Sequence, residues 1–329
     1  MTASDEAMTA NHEETWAIIL AAGQGQRLAR LTRALYGREV PKQFAALDGE
    51  QTFLQQTITR AKRLTPPERM VVVVAEEHGA LAREQLAPFG RIKVVEQPRN
   101  VGTLPGLLLP LAHVLDEAPR ARVVVYPADH HVQRFGPFID AVERAISAVD
   151  HAPGRTVLVG ARADRAATDL GWIMPGRTLS AAGDKVDRTD QKVRSVETFI
   201  EKPPATTAAR LHEAGALWNT LLIALDGATF WDGALEAHPL LAQSFQRYRS
   251  GVRTTNEALV RREIYERLPT LDLSRDLLER WAGLAVVEMA DAGWSDCGTP
   301  ERLFECLAGS GGLGMLLGRL CASSIETQI

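Results

Sequence analysis

Several features that would assign this chain to a common protein class are missing. Apolar runs such as residues 71–75 and 221–225 are far too short to span a bilayer, so no membrane-spanning segment is expected. The chain has 3 cysteines in 329 residues and no C-x-x-C spacing, which argues against a zinc site and a disulfide framework. The first 14 residues are polar and acidic and lack the order of a signal peptide, so we expect a disordered leader there.

Charge and repetition exclude further classes. The formal net charge is −4 and no broad basic stretch is present, which argues against a nucleic-acid partner. With 45% hydrophobic and 24% charged residues, the composition is that of a globular protein with ample material for a core. No internal repeat is visible. Unpaired thiols favour a cytoplasmic location, and the sequence leaves open whether the chain forms a homo-oligomer.

What the chain does contain is a glycine-rich turn beside a group of cations. The turn reads LAAGQGQRL at residues 20–28, and PKQF follows at residues 41–44. Between residues 24 and 44 there are 5 basic residues and 1 acidic residue. Glycines let a backbone approach a ligand closely, free N–H groups cradle phosphate, and Arg and Lys supply the opposing charge. The segment therefore predicts a site for a phosphate-rich nucleotide.

Other glycine-rich turns compete with this interpretation. The dinucleotide fingerprint needs a third glycine where this chain has Leu28, and an acidic residue about 20 positions on, where it has Lys42 and Gln43. An NAD-dependent oxidoreductase is therefore disfavoured, and the P-loop pattern is absent. An ordinary strand-to-helix turn stays open for the glycines alone, but Arg27 and Lys42 at their spacing weaken it.

The hydrophobic pattern predicts an α/β fold. Short apolar runs rich in β-branched residues alternate with segments of helical spacing, which indicates a Rossmann-like mixed, mainly parallel sheet with helices on both faces. Residues 178–191 are expected to form a surface hairpin or loop, and residues 300–329 one helix, a glycine-rich stretch and a short tail. The predicted strands are 16–21, 70–74, 92–95, 122–126, 156–161, 193–200 and 218–225; the predicted helices are 53–64, 80–86, 107–115, 227–235 and 256–265.

Further motifs follow in order along the chain. They read EQPRN at residues 96–100, YPADHHV at 126–132, GWI at 171–173, FIEKP at 199–203, WNT at 218–220 and AGWSDCG at 292–298. With the opening motifs they resemble the sugar-nucleotide pyrophosphorylases, most closely the mannose-1-phosphate guanylyltransferases. The resemblance implies a GT-A-like nucleotidyltransferase domain over residues 15–305 and a C-terminal helix or tail over 306–329. Some relatives carry a C-terminal β-helix, but its hexapeptide repeats are missing after Gly298, so none is expected here.

The resemblance also implies a reaction. An oxygen of a sugar 1-phosphate would attack the α-phosphorus of an NTP and expel pyrophosphate, with GTP and mannose 1-phosphate as the implied pair. Such transfers need in-line positioning and charge neutralisation. Mg²⁺ is the implied cofactor, since it is held by one or two carboxylates and completes its octahedron with phosphate oxygens and water.

Two aspartates are the candidate magnesium ligands. Asp129 follows a buried strand and a proline, where a carboxylate is costly to place, although an Asp here could also cap the next helix. Asp296 lies between glycines in a segment that, taken alone, is typical of a turn. The resemblance assigns both to the metal. His130 and His131 suggest zinc, but adjacent loop residues rarely face one ion and no third ligand has suitable spacing.

Further site residues are implied by the same resemblance. Arg27 and Lys42 would contact the triphosphate, and Lys202 would bind the phosphate of the sugar, although Arg and Lys are more often solvated surface charges. Sugar hydroxyls would be bound at Gly171, Glu201 and Asn219. The residues expected to bind the nucleotide are Leu20, Ala22, Gly23, Gly25, Arg99, Asn100 and Thr103.

Departures from the family pattern keep two rival functions in view. Relatives read G-T-R-L-W-P-L, R-N-T-A-P and W-N-S-G where this chain has GQRLARL at residues 25–31, RNVGT at 99–103 and WNTL at 218–221. A cytidylyltransferase of the methylerythritol type shares the opening motifs but lacks the Glu-Lys-Pro and Trp-Asn motifs. A non-catalytic nucleotide-sugar-binding regulator would bind ligand without releasing pyrophosphate.

Overall fold

The computed structural model describes residues 15–47, 49–152, 154–179 and 192–326, with side chains as far as residue 322. The predicted leader at residues 1–14 and most of the predicted hairpin or loop at 178–191 lie outside these ranges. Apolar strands and longer helical segments alternate along the described chain, as the hydrophobic pattern predicts. The helices are α1 (Ala29–Tyr36), α2 (Phe53–Ala61), α3 (Gly79–Leu86), α4 (Thr103–Glu117), α5 (Phe135–His151), α6 (Ala205–Glu213), α7 (Gly227–Ala237), α8 (Pro239–Gly251), α9 (Glu257–Arg267), α10 (Pro300–Ser310) and α11 (Gly312–Glu326).

The strands of the described residues are β1 (Thr15–Leu20), β2 (Met70–Ala75), β3 (Lys93–Gln97), β4 (Arg122–Pro127), β5 (His131–Val132), β6 (Thr156–Arg162), β7 (Gly171–Thr178), β8 (Val193–Glu201), β9 (Leu217–Asp226), β10 (Leu284–Met289) and β11 (Trp294–Ser295). Nine of them form a mixed sheet in the order β3-β2-β1-β4-β9-β6-β10-β8-β7. The first four strands in that order are parallel to one another, whereas β9 pairs antiparallel with both β4 and β6.

Helices cover both faces of the sheet at β1, β2 and β4, because these strands are apolar on both sides. Ala17 and Ile19 of β1 join a core with α2 and α5, whereas Trp16 and Ile18 join a second core with α4, α7 and α8. This part of the sheet is therefore buried as the sequence predicts, whereas β8 is polar and mostly exposed or half-buried. None of the helices in the described residues is long and apolar enough to cross a membrane.

A small second sheet brings two distant motifs together. Strands β5 and β11 pair antiparallel, with His131 opposite Ser295 and Val132 opposite Trp294. Strand β5 follows the turn that carries Asp129, and β11 immediately precedes Asp296. The pairing thus places the two aspartate-bearing segments side by side at the carboxyl end of β4, where ligands collect in open α/β sheets.

The C-terminal segment differs from its prediction. The glycine-rich stretch and tail expected after the helix at 300–310 form the further helix α11, which follows Gly311 in a left-handed conformation with φ 80°. Glycine is a poor helix former, so the composition favoured a loop. Leu316 is fully buried in the core, and the Arg319 guanidinium lies 5.5 Å from the Tyr36 ring centroid. Tertiary packing therefore overrides local propensity there.

Candidate active site

The glycine-rich loop after β1 is held from beneath by the PKQF segment. The side-chain amide of Gln43 donates to the carbonyl oxygens of Ala21 at 2.8 Å and Gly23 at 2.7 Å. Gly25 has φ 60°, and a Cβ atom there would lie 2.7 Å from the backbone nitrogen of Lys42. A glycine is therefore required for the close approach, and the two motifs form one unit.

This unit forms one side of a cleft of about 290 Å³ at the carboxyl ends of the parallel strands. Most residues predicted to bind nucleotide and metal share this lining, including both aspartates. Arg27 and Lys42 also border an adjoining cavity with Gly25 and Gly298. The predicted residues that line the cleft are Leu20, Ala22, Gly23, Arg27, Lys42, Asn100, Thr103, Asp129 and Asp296.

Lys42 is the most firmly fixed cation of the cleft. Its side chain is only 6% exposed, and its Nζ lies 3.0 Å from Asp129 Oδ2. The same ammonium donates to the backbone carbonyl oxygens of Asp296 at 2.5 Å and Cys297 at 3.4 Å. One buried amino group therefore ties together the PKQF segment and both aspartate-bearing segments.

The other cations of the opening segment contribute less than the sequence suggested. Arg33, on the exposed side of α1, pairs with Glu39, and Arg30 and Arg38 are exposed. Among these cations, Lys42 and Arg27 line the cleft. Arg30 and Arg33 lie on the exposed surface of α1 and Arg38 follows that helix, so none of the three lines the cleft.

The surroundings of Asp129 favour its charged form. Burial by itself would raise the pKa of this carboxyl, but the positive charge of Lys42, together with His130, lowers it below its usual value. Burial lowers the pKa of His130. Trp294 Nε1 donates to His130 Nδ1 at 3.3 Å, which fixes the ring against β11. The aspartate side chain remains 39% exposed at the cleft floor.

Asp296 belongs to a chain of alternating charges. Its Oδ1 accepts a hydrogen bond from Arg302 Nη1 at 2.9 Å, and the other terminal nitrogen of Arg302 pairs with Asp169. Asp169 Oδ2 in turn lies 3.4 Å from Arg27 Nη1. The order Asp296, Arg302, Asp169, Arg27 links the second aspartate to the first candidate catalytic arginine.

The same chain of charges sets the protonation of Asp296. Burial would raise the pKa of its carboxyl, but His130 and Arg302 lower it below the ordinary value. A Cβ atom on Gly298 would collide with Asp296 Oδ2 and lie 3.0 Å from Arg27 Nη2. A glycine at 298 is therefore needed for the Asp296 carboxylate and Arg27 to lie beside that backbone.

The two aspartates supply the donor chemistry that magnesium prefers. Both are charged, both line the same cleft, and Arg302 binds Oδ1 of Asp296 rather than Oδ2. Within the described residues no group of three or more His, Cys, Asp or Glu side chains could hold a metal ion. Such a two-carboxylate set fits Mg²⁺, which takes its remaining ligands from water and substrate phosphates, and it does not provide the four protein ligands of a structural zinc site.

The segment expected to bind the base is tied to neighbouring loops. Arg99 Nε donates to the carbonyl oxygen of Tyr265 at 2.7 Å and its Nη2 to that of Leu268 at 3.0 Å, so the guanidinium binds the end of α9. Asn100 Oδ1 accepts from the backbone of Gly102 at 2.9 Å. Thr103, the first residue of α4, accepts from the backbone of Leu273 at 2.7 Å.

Residues predicted to bind the acceptor sugar form a separate cluster around β7, β8 and β9. A Cβ atom on Gly171 would lie 2.5 Å from Glu201 Oε2 and 3.1 Å from Asn219 Cβ, so these three positions are in contact. Lys202 Nζ lies 3.0 Å from Glu201 Oε1, and the lysine side chain is 48% exposed. Burial raises the pKa of the Glu201 carboxyl, against the lowering effect of Lys202.

Three residues of the site were missed by the sequence interpretation. Gln43 braces the glycine-rich loop, and its place within PKQF could have indicated that role. Asp169 and Arg302 lie 133 residues apart, outside the motifs, and no local pattern marks them. They meet because α10 begins soon after Asp296 and packs beside the loop that precedes β7.

Comparison with known proteins identifies a family match that covers all residues of this site. A family model described as nucleotidyl transferase matches residues 16–309. The chain belongs to the nucleotidyl transferase family. The matched range contains both aspartates, the glycine-rich loop and the acceptor cluster.

The chain is also similar to bacterial proteins named mannose-1-phosphate guanylyltransferase. The chain is 29% identical over 297 residues to the mannose-1-phosphate guanylyltransferase of Escherichia coli K12, covering 88% of this chain and 59% of that protein. It is 28% identical over 307 residues to the mannose-1-phosphate guanylyltransferase ManC of Salmonella typhimurium, covering 92% and 61%. The chain therefore spans about three fifths of the length of these relatives.

A solved structure supports the same family fold. The crystal structure from Thermus thermophilus described as mannose-1-phosphate geranyltransferase has a TM-score of 0.75 and 28% identity, covering 88% of this chain and 79% of that one. This likeness confirms the predicted nucleotidyltransferase fold with its central mixed sheet.

Proposed function

We propose that this protein transfers a nucleotidyl group from an NTP to a sugar 1-phosphate, with GTP and mannose 1-phosphate as the substrate pair. The observation that carries the proposal is the position of Lys42, which joins both aspartate segments beneath a glycine-rich loop. Named relatives support the choice of pair, since two of them are mannose-1-phosphate guanylyltransferases.

The reaction depends on in-line positioning and charge neutralisation rather than on side chains that exchange protons. An oxygen of the sugar phosphate forms a new bond to the α-phosphorus, the bond from that phosphorus to the bridging oxygen breaks, and pyrophosphate leaves with its electron pair. Arg27, whose side chain is exposed at the cleft, opposes the charge that grows on the departing group. Lys42 holds its charge at a fixed position and keeps both aspartates in place.

The acceptor is bound by the second cluster. Lys202 neutralises the phosphate of the sugar, and because its side chain is half-exposed it can follow that group into the cleft. Glu201 and Asn219 offer hydrogen-bonding atoms to sugar hydroxyls. Backbone groups near Gly171 serve the same purpose, since no side chain intervenes there.

Asp129 and Asp296 would hold Mg²⁺, which supplies positive charge at the phosphate oxygens and lowers the barrier to displacement. The protein's part is to keep both carboxylates ionised and oriented, through Lys42, His130 and Arg302. We place the enzyme in the cytoplasm, since its three cysteines are free thiols. A homo-oligomer remains a further proposal, to be tested by light scattering.

Pyrophosphate release tests the function. Purified protein is incubated with Mg²⁺ and every combination of five NTPs with a panel of sugar 1-phosphates. Release confined to GTP and mannose 1-phosphate is the expected result. Release with another pair would keep the chemistry and change the substrates, and CTP with methylerythritol 4-phosphate is included as the rival cytidylyltransferase pair. If no pair releases pyrophosphate but nucleotide-sugar binding is detectable, the result would favour the non-catalytic regulator.

A further inference from the structure

Leu221 has a backbone conformation that leucine rarely adopts. Its φ is 57°, in the left-handed region where a Cβ atom crowds the following carbonyl oxygen. Four described residues other than glycine have positive φ, and three of them lie at the candidate site: Lys202, Leu221 and Cys297. The fourth, Arg253, lies on the exposed surface. Strained residues that concentrate at the candidate site indicate a functional reason for the strain.

Neighbouring side chains impose this conformation. The backbone nitrogen of Leu221 donates to Asn219 Oδ1 at 3.1 Å. Thr220 Oγ1 donates to the carbonyl oxygen of Val159 at 2.5 Å and accepts from the nitrogen of Leu222 at 3.2 Å. The register between β6 and β9 shifts at this point, between Val159 and Gly160. Such bulges re-aim side chains next to active sites.

The re-aimed leucine faces the cleft. Leu221 lines the same cavity as Pro127, Asp129 and Thr103, and its partly buried side chain also packs against the apolar core beneath α4. Two residues before it, Asn219 belongs to the acceptor cluster. The leucine therefore stands at the boundary between the residues assigned to the nucleotide and those assigned to the acceptor.

We propose that Leu221 is a specificity-determining residue, which forms an apolar wall against the acceptor sugar and rejects sugar 1-phosphates with bulky ring substituents. The proposal rests on the proposed function, because it concerns the acceptor of that reaction. A side chain without hydrogen-bonding groups adds no affinity for hydroxyls. Its effect is steric, because its side chain lines the cleft and narrows it.

The test compares Leu221→Gly, Leu221→Ala and the wild-type protein. Glycine removes both the side chain and the strain, whereas alanine keeps the strained Cβ atom and removes only the wall. Arg253→Gly, at φ 60° on the exposed surface, is the matched control for backbone relief away from the cleft. Pyrophosphate release is measured with mannose 1-phosphate, glucose 1-phosphate and N-acetylglucosamine 1-phosphate at saturating NTP.

Both Leu221 variants are expected to raise the kcat/KM for N-acetylglucosamine 1-phosphate, relative to that for mannose 1-phosphate, by about tenfold or more. In both Leu221 variants the KM for the NTP should stay at the wild-type value. In Arg253→Gly the ratio of the two kcat/KM values should also stay at the wild-type value. If the variants are active and this ratio of kcat/KM values is unchanged, or if it changes in Leu221→Gly but not in Leu221→Ala, the role of Leu221 is overturned. Either result would leave the proposed function standing. If the wild-type protein releases no pyrophosphate with any substrate pair, the proposed function and this inference are overturned together.

Discussion

Two regions of the candidate site, which we call the nucleotide wall and the acceptor wall, hold their lysines very differently. On the nucleotide wall, formed by the glycine-rich loop, the PKQF segment and Asp129, Lys42 is 6% exposed and contacts one carboxylate and two backbone carbonyls. On the acceptor wall, formed by Gly171, Glu201, Lys202 and Asn219, Lys202 is 48% exposed and contacts one carboxylate.

The same residue type can therefore serve two purposes in one reaction. A buried ammonium held at three points is already in place before substrate arrives, so no reorganisation is needed when charge develops. An exposed lysine keeps its conformational freedom and loses it only on meeting a phosphate. The contrast predicts that the nucleotide wall determines both folding and rate, whereas the acceptor wall determines mainly affinity for the second substrate.

The largest expected effect comes from Lys42→Met. The carbonyls of Asp296 and Cys297 would lose their donor and Asp129 its counter-ion, so the free energy of unfolding should fall by about 1–3 kcal/mol. The rate should fall by about a thousandfold, because both aspartates lose their support. Urea unfolding and pyrophosphate release measure the two effects.

Lys202→Met is the matched control. Its unfolding free energy should fall by less than that of Lys42→Met, because the Lys202 side chain is half-exposed and contacts one carboxylate, while KM for the sugar 1-phosphate rises. Equal losses of stability in both variants would remove the contrast between the walls.

Arg27→Ala should have the next largest effect. The arginine is exposed at the cleft and pairs only loosely with Asp169, at 3.4 Å, so its removal should leave the fold intact. If it opposes charge on the departing pyrophosphate, kcat should fall about a hundredfold to a thousandfold. Single-turnover kinetics with saturating substrates measures this step, with Arg30→Ala as the control on α1. A rise in the KM for NTP at constant kcat would assign Arg27 to substrate binding alone.

Arg302→Met should have an intermediate effect, on the metal rather than on the substrates. Without the hydrogen bond at 2.9 Å, the Asp296 carboxylate is free to turn, so affinity for a divalent cation should fall about tenfold to a hundredfold. Binding of Mn²⁺, followed by electron paramagnetic resonance, measures this without turnover. Arg302→Lys should recover part of the affinity. Wild-type affinity in the methionine variant would show that Arg302 does not orient Asp296.

The smallest expected effect is a difference between the two walls in how their contribution to stability depends on pH. The pKa of Asp129 is lowered from its ordinary 3.8, so its charge stabilises the fold above that value and the contribution is lost as pH falls. The pKa of Glu201 is raised from 4.5, so ionisation destabilises the fold as pH rises. The stability that Asp129→Asn lacks relative to wild type should therefore shrink as pH falls below about 3.8, whereas Glu201→Gln should gain stability relative to wild type as pH rises above about 4.5.

Urea unfolding at several pH values tests this opposition. For Asp129 the change should stay below about 1 kcal/mol, because its partly exposed side chain is screened by solvent. Stability differences that move in the same direction for both variants would contradict the assigned environments of the two carboxylates.

Much of the nucleotide wall could be predicted from the sequence because its parts are local. The turn at Gly23–Gly25 follows an apolar run directly, and Lys42 lies in a short motif nearby. Asp129 ends another apolar run, and the parallel order of the strands brings the two turns to one edge. The alternation of strands and helices was sufficient to predict the fold class.

The rest depends on contacts between distant segments. Arg302 and Asp169 meet across 133 residues, and Arg99 binds the carbonyl of a residue 166 positions away. Neither contact has a local signature, since a guanidinium is equally typical of an exposed surface. Leucine itself does not indicate the left-handed conformation at position 221, although the glycine that relatives carry there in W-N-S-G is typical of it. Helix α11 was missed because packing, rather than composition, stabilises it.

The central claim is that the nucleotidyl group itself moves to the sugar phosphate. The most direct measurement uses GTP radiolabelled at the α-phosphorus, together with mannose 1-phosphate and Mg²⁺, and follows the label by chromatography. The account predicts that the label appears in a nucleotide sugar in equal amount to the pyrophosphate released, and that Lys42→Met slows the formation of both about a thousandfold. Label found in GMP or GDP, with no nucleotide sugar formed, would contradict it.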